Sequence, residues 1–260
     1  MRAARYHRTG PAAEVLGVVD IDRPDPGPGE VRVRLTVSAV NPADWKRRAG
    51  AEGQGEPGGP VVAHDDGVGE IDAVGPGVDP RRVGERVWVT FTRIGVPTGT
   101  AAQWCVVPAG RAFAVPDGIG ADAAAAVTGI PGLTAHYALH LHGNDPAGTT
   151  VLVTGAAGNV GRVAVGLAAR AGATVIGTVR GADKAEVARA AGAHHVVDVA
   201  TADLPAAVAE LTDGRGVQRV VEVDPGQVGT TRAALAPMGG SIVCYGGGSF
   251  APVTVAPFLG

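Results

Sequence analysis

The sequence predicts an α/β protein of two parts: a β-rich first part, then a doubly wound parallel sheet in which strands and helices alternate. Three observations predict this. Up to about residue 118, short apolar runs are broken every ten residues or so by Gly, Pro and Asp, an all-β rhythm. From Ala121 onward, strand-length apolar runs alternate with Ala-rich helical segments, which implies right-handed crossovers and a parallel sheet. A glycine triplet then stands at one strand-to-helix junction of that second part. The parts are therefore assigned to residues 1–120 and 121–260.

In the first part, residues 31–40 (VRVRLTVSAV) alternate apolar and polar side chains at period two, as a half-buried strand does. Residues 67–74 and 85–89 read as further strands, separated by the turn-rich GPGVDPRRVG. Residues 51–59 (AEGQGEPGG) read as an exposed, flexible loop. In the second part, helical segments near 121–128 and 132–142 lead through a polar turn to a short buried strand at 151–153. A helix over 159–171 follows, then strand 174–179, helix 183–191, strand 195–199 and helix 203–212. Strands at 217–223 and 241–245 complete the sheet.

The composition supports a folded core and excludes some roles. Hydrophobic residues make up 45% and charged residues 18% of 260 residues, while aromatics are only 4%, so Val, Ala, Leu and Ile must fill the interior. A net charge of −3 offers no broad field for nucleic acid or an anionic membrane. The two cysteines, Cys105 and Cys244, are too few for a disulfide framework or a cysteine-rich zinc site. No apolar signal core opens the chain, and no stretch approaches the ~20 apolar residues needed to cross a bilayer. The expected location is the cytoplasm, without membrane or nucleic-acid partners.

The glycine triplet carries the cofactor prediction. Directly after the strand at 151–153 the chain reads Gly155, Ala156, Ala157, Gly158, Asn159, Val160, Gly161, with the next strand starting thirteen residues later. One glycine permits the tight turn, one lets backbone approach a pyrophosphate, and one lets the helix pack on the strand. The phosphates would sit at the helix N-terminus, where free N–H groups and the helix dipole favour negative charge. This is the Rossmann type of dinucleotide site. Dinucleotides lacking a 2′-phosphate usually meet an acidic residue near the end of the second strand. Here Thr178 and Val179 lead instead into Arg180, with Lys184 following and Asp183 expected to cap the next helix. Arg180 and Lys184 either clamp a 2′-phosphate, which makes NADPH the expected cofactor, or are solvated surface charges.

Taken in order, several stretches resemble the medium-chain dehydrogenase/reductase superfamily, and specifically its zinc-free quinone-reductase branch. They are PGPGEV at 26–31, VNPAD at 40–44, GVG at 67–69 with AVGPGV at 73–78, VGERVW at 83–88, and GLTAHY at 132–137. VLVTGAAGNVG at 151–161, GAHHVVD at 192–198 and VVEVD at 220–224 complete the series. The resemblance implies a GroES-like β domain, a Rossmann domain after it, and a cleft between them for nicotinamide and substrate. It also brings Thr134 and Tyr245 into the cofactor-binding set. Zinc-dependent relatives carry a Cys after the first long strand and a His in a Gly-His-Glu motif. This chain has Asn41 at the first position and His64-Asp65-Asp66 at the second, so one possible ligand survives without its partner, and the four-cysteine structural lobe is missing. No metal is expected.

In that branch Asn41 and Asp44 match an Asn-Pro-x-Asp motif lying beside the nicotinamide. Asn41 could donate a hydrogen bond to a quinone oxygen as hydride arrives, and His64 could supply a proton. Each has a plainer alternative: Asn-Pro is a common turn starter, and a His beside two carboxylates can be a local ion pair. His136 and His140, one helical turn apart, read as structural because no HExxH arrangement or third ligand accompanies them. Glu222 and Asp224 end a strand at the edge where ligands bind, or cap the next turn.

Family members normally continue past the fifth Rossmann strand to complete the catalytic domain and the dimer edge. This chain stops at the apolar stretch 250–260. It reads as a portion of a longer chain, a shortened relative with an open pocket, or a member with another role. The expected function is a zinc-independent, NADPH-dependent reductase of quinones or related conjugated carbonyls, with a homodimer as the expected assembly. The alternative is a shortened member that binds NADPH or ligand without net redox turnover.

Overall fold

A computed structural model describes residues 1–50, 55–92, 97–141, 145–235 and 240–246. The stretch 250–260 and positions 51–54 of the expected loop lie outside the described residues. The chain forms two compact units, Met1–Ile130 and Pro131–Gly260.

The first unit contains β1 (Arg2–Tyr6), α1 (Ala12–Val15), β2 (Gly17–Asp20), β3 (Glu30–Ala39), α2 (Pro42–Arg48), β4 (Val61–Val62), β5 (Asp66–Val74), β6 (Arg86–Val89), β7 (Trp104–Pro108), β8 (Ala112–Ala114) and α3 (Ala121–Val127). Among the described residues, β2–β1–β4 form one antiparallel sheet and β7–β3–β5–β6–β8 another. Period-two alternation sends Val31 and Val33 of β3 into a core with Ile71, Val87, Val89, Cys105 and Val107. Arg32, between them, is buried too, because its guanidinium pairs with Asp25 and Asp72 at 2.7 and 2.8 Å. The pairing of β3 with β5 slips between Arg32 and Val33 and again between Leu35 and Val37. Helix α3 lies on β3 and β5 through Ala124 and Ala125, against Val68. This Ala-rich helix, grouped by its sequence with the second part, thus belongs to the first unit, where its small side chains fit close to the sheet.

Helix α4 (Gly129–His140) opens with the last two residues of the first unit and continues into the second. There follow β9 (Thr150–Val153), α5 (Asn159–Arg170), β10 (Thr174–Val179), α6 (Ala182–Ala190), β11 (His195–Asp198), α7 (Leu204–Leu211), β12 (Arg219–Glu222), α8 (Val228–Arg232) and β13 (Ser241–Cys244). The strands pair in parallel in the order β11–β10–β9–β12–β13. That order reverses direction between β9 and β12, the switch point of a doubly wound sheet, and ligands of such sheets bind at the carboxyl ends of the strands there. Helix α5 buries Gly161, Ala164, Val165 and Ala168, a stripe at helical spacing, on Val151, Val153 and Val175. A second cluster, with Leu152, Ile176, Val197, Leu204, Val208 and Val220, includes α7. Both faces of the sheet are therefore apolar, which is why its strands read as continuous runs of Val, Leu and Ile rather than alternating ones.

Candidate active site

The glycine loop leaves β9 at the switch point. Gly155 sits at φ +60°, a conformation glycine adopts readily. A Cβ on Gly161 would lie 2.2 Å from the Gly155 carbonyl and 3.0 Å from Ala156 Cα, so only glycine lets the first turn of α5 press against the loop. Ala156 is fully buried in the strand–helix core, and its N–H donates to the Thr178 carbonyl at 2.9 Å. Gly155 N–H donates to Thr178 Oγ1 at 3.2 Å, so Thr178, at the end of β10, holds the loop by both backbone and side chain. Ala157 and Val160 pack against the same core, together with Tyr245. Gly158 is the N-cap of α5 with no side-chain cap, and Asn159 is its first residue. The backbone N–H groups of a helix's first turn have no intrahelical acceptor. The loop therefore presents donors and the positive end of a twelve-residue helix together.

Past β10, Arg180 and Lys184 are exposed and form no ion pair with a described residue. The cap of α6 differs from the expectation. Gly181, at φ +98°, is the N-cap, and Asp183 lies exposed in the first turn. Gly181 N–H donates to Asp198, at the end of β11, at 3.1 Å, while no side chain caps the first turn of α6.

Two residues that the sequence did not single out for this loop shape it. A Cβ on Gly177 would lie 2.8 Å from the Ala156 side chain, so that glycine lets β10 approach the loop. Glu222, buried at the end of β12, accepts from Thr154 Oγ1 at 2.7 Å and from Asp224 N–H at 2.8 Å through one oxygen, while its other oxygen has no partner among the described residues. Asp224 caps the next turn by accepting from Gly226 N–H. Tyr245 continues the pairing beyond β13 by donating its N–H to the Glu222 carbonyl, and burial, with the Glu222 charge adding to it, pushes its phenol up to about 12. Thr134 is half-buried on α4.

Within the first unit, Asn41, Asp44 and His64 belong to one polar cluster. Asn41 is the N-cap of α2, with Pro42 at its first position, and Asp44 Oδ2 accepts from Asn41 N–H at 2.7 Å. Asn41 Nδ2 donates to Asp66 Oδ2 at 2.8 Å, so one of its two amide N–H bonds is committed inside the cluster, and the residue is 2% exposed. Asp66 also accepts from Thr90 Oγ1 at 2.7 Å and from Ile130 N–H at 2.8 Å. Gly129 stands at φ +64°, and a Cβ there would lie 2.5 Å from the Asp66 carboxylate, so both the backbone and the space call for glycine. Asp65 is buried and pairs with Arg47 at 2.9 Å.

His64 is half-buried at φ +68°, an uncommon conformation for a residue with a Cβ. Its Nδ1 lies 2.9 Å from Ser38 Oγ. Burial raises both Asp44 and Asp66. Asp44 is pushed up to about 6, the hydrogen bond from Asn41 N–H opposing the rise and the nearby Asp65 charge adding to it. The rise at Asp66 is opposed by its bonds from Ile130, Thr90 and Asn41. Asp44 Oδ1 is buried without a partner among the described residues, which fits a carboxyl that takes up a proton readily.

Comparison with known proteins agrees with these two units. Residues 27–117 match the alcohol dehydrogenase GroES-like domain, and residues 159–259 match the zinc-binding dehydrogenase family. The chain is 37% identical over 226 residues to a 2-haloacrylate reductase of Burkholderia sp, covering 85% of this chain and 66% of that protein. It is 36% identical over 242 residues to a quinone oxidoreductase of Pseudomonas aeruginosa, covering 93% and 72%. A mycobacterial protein solved in complex with NADPH superposes with a TM-score of 0.84 at 33% identity, covering 99% of this chain and 77% of that one. The chain thus spans about two thirds of the first of these relatives and somewhat more of the other two.

Proposed function

Because the chain belongs to the medium-chain dehydrogenase/reductase superfamily, in its quinone reductase-like branch, we propose that it is an NADPH-dependent reductase of quinones or related conjugated carbonyls. The glycine loop carries this reading. Its close packing at Gly161 brings backbone donors and the α5 N-terminus to one point, as a pyrophosphate requires. Gly155 to Gly161 would hold the phosphates, Thr178 the loop, Arg180 and Lys184 the 2′-phosphate, and Thr134 and Tyr245 the remainder of the dinucleotide. When bound, NADPH supplies the hydride, and the chain's own residues bind, orient and move the proton. Asn41, Asp44 and His64 are assigned to the substrate side: Asn41 orients the acceptor oxygen, and His64 donates the proton. The relatives' names are those of reductases, which supports turnover over binding without redox chemistry.

We read the chemistry as metal-independent, because the residues present do not fit zinc. Asn41 replaces a thiolate, and its amide is bonded to Asp66. His64, the candidate ligand at the second position, already has its Nδ1 2.9 Å from Ser38 Oγ. Asp65 already pairs with the Arg47 guanidinium. Cys105 lies in the β-core, its thiol pushed up to about 12 by burial. Among the described residues, no group of three or more His, Cys, Asp or Glu side chains is placed to hold a metal ion.

No helix among the described residues is long and apolar enough to cross a membrane. A small-molecule acceptor, a cytoplasmic location and a homodimer complete the reading, the last tested by light scattering. The reaction is tested by following loss of reduced-nicotinamide absorbance with a panel of quinones and enones. Consumption of NADPH supports it. Binding of NADPH without consumption across the panel favours the non-redox alternative.

A further inference from the structure

The hydrogen bonds around His64 settle which ring nitrogen carries its permanent proton. Thr100, fully buried, donates its only hydroxyl proton to the Asp66 backbone carbonyl at 2.6 Å, because a carbonyl can only accept. At the 2.9 Å contact between Ser38 Oγ and Thr100 Oγ1, Ser38 must then be the donor. Ser38 has one hydroxyl proton and has now used it. Its 2.9 Å contact with His64 Nδ1 is therefore made by Nδ1–H donating to Ser38 Oγ.

We propose that Ser38 and Thr100 are positioning residues that lock His64 in its Nδ1–H tautomer, leaving Nε2 as the ring position that gains and loses the working proton. This rests on the reading of His64 as the proton donor. The backbone supports the lock from three sides. Thr100 N–H donates to the His64 carbonyl at 3.1 Å, Ala101 N–H to the Ala63 carbonyl at 2.9 Å, and Thr92 N–H to the Asp65 carbonyl at 3.1 Å. A Cβ on Gly99 would lie 2.3 to 2.6 Å from the carbonyls of Val62, Ala63 and His64, so the segment carrying Thr100 presses directly on the backbone at His64. A left-handed residue persists where its surroundings over-determine it, and such positions gather at functional sites. The charged neighbours in the same cluster are Asp44, Asp65, Asp66 and Arg47.

The arrangement suits a donor that works repeatedly. With Nδ1 protonated in both states, the Ser38–Thr100 chain keeps the same hydrogen-bond directions whether His64 is neutral or cationic. When bound, NADPH would supply the hydride that leaves a quinone as the hydroquinone monoanion. The Nε2 proton of cationic His64 then passes to the anionic oxygen, giving the hydroquinone and neutral His64, and Nε2 recovers a proton from water.

The test is ¹⁵N NMR of the histidine rings in the full chain, with the His64 signals assigned by their loss in His64→Gln, run beside NADPH turnover. The expected result is an Nδ1 that stays protonated across the titration and an Nε2 that titrates. In Ser38→Ala the neutral ring should become a tautomer mixture, with kcat falling at least about tenfold and the KM for NADPH unchanged, and Ser38→Thr should restore both. A neutral His64 protonated on Nε2 in the parent protein overturns the lock. A locked tautomer with His64→Gln turning over like the parent overturns the donor role, and with it the positioning role. Absence of turnover in the parent sinks the reductase reading, while the tautomer measurement still decides the lock.

Discussion

Asn41 and Asp66 meet through a 2.8 Å hydrogen bond in which the Asn41 amide nitrogen donates to a carboxylate buried at the start of β5. The same carboxylate receives Thr90 from beyond β6 and the Ile130 N–H from the first turn of α4. One acidic side chain thus gathers three donors that lie 24 to 64 residues away in sequence. Asp66→Asn turns one accepting oxygen into an amide that faces donors. It should lower stability by about 1–3 kcal/mol, read from the urea midpoint at unchanged slope.

Asp44 gives a signed pH dependence. Burial raises its pKa to about 6 in the folded protein, above the ordinary carboxylate value expected in the unfolded chain. The folded state therefore binds the proton more tightly, and the stability this contributes is full below pH ~4 and lost as pH rises to about 6. Asp44→Asn should remove this term. The difference in unfolding free energy between parent and variant should change between pH ~4 and ~6 by up to about 1.4 kcal/mol per pH unit, and flatten above.

Gly161→Ala forces a methyl group into a space where a Cβ already lies 2.2 Å from the Gly155 carbonyl. The loop must open, so NADPH affinity should fall by at least about tenfold and the melting temperature should drop. Gly166→Ala, on the same helix with its nearest atom at 3.5 Å, should leave both nearly unchanged.

Arg180→Ala with Lys184→Ala removes the two exposed cations after β10. Loss of charge-assisted bonds to a 2′-phosphate should weaken NADPH roughly 10- to 100-fold while NADH changes little, read by titration of each nucleotide. Equal weakening of both would place the 2′-phosphate elsewhere.

Much of the second unit was legible in the sequence because its signals are local. Buried parallel strands read as apolar runs, and the residues 151–153, 174–179 and 195–199 coincide with β9, β10 and β11 to within a residue. The glycine loop was legible for the same reason, since its spacing states its geometry. Helix α2 was missed, although Asn41 and Asp44 stand at cap and third position with Pro42 between, a start signal that the motif reading passed over. The hub at Asp66 and the Ser38–Thr100 chain were not legible at all. Their partners come from β3, the start of α2, β5, the loop after β6 and the first turn of α4, and only folding brings those residues together. The cap of α6 was misplaced because the helix starts at Ala182, which makes Gly181 the N-cap and puts Asp183 inside the first turn, while Asp198 from a neighbouring strand fixes Gly181.

The most direct test of the central claim is a calorimetric titration of the 260-residue chain with NADPH, with NADH as the control. The account predicts saturable binding of NADPH at least about tenfold tighter than that of NADH, a difference of roughly 1.4 kcal/mol or more. Equal affinity for the two would contradict the 2′-phosphate assignment, and no binding of either would contradict the reductase itself.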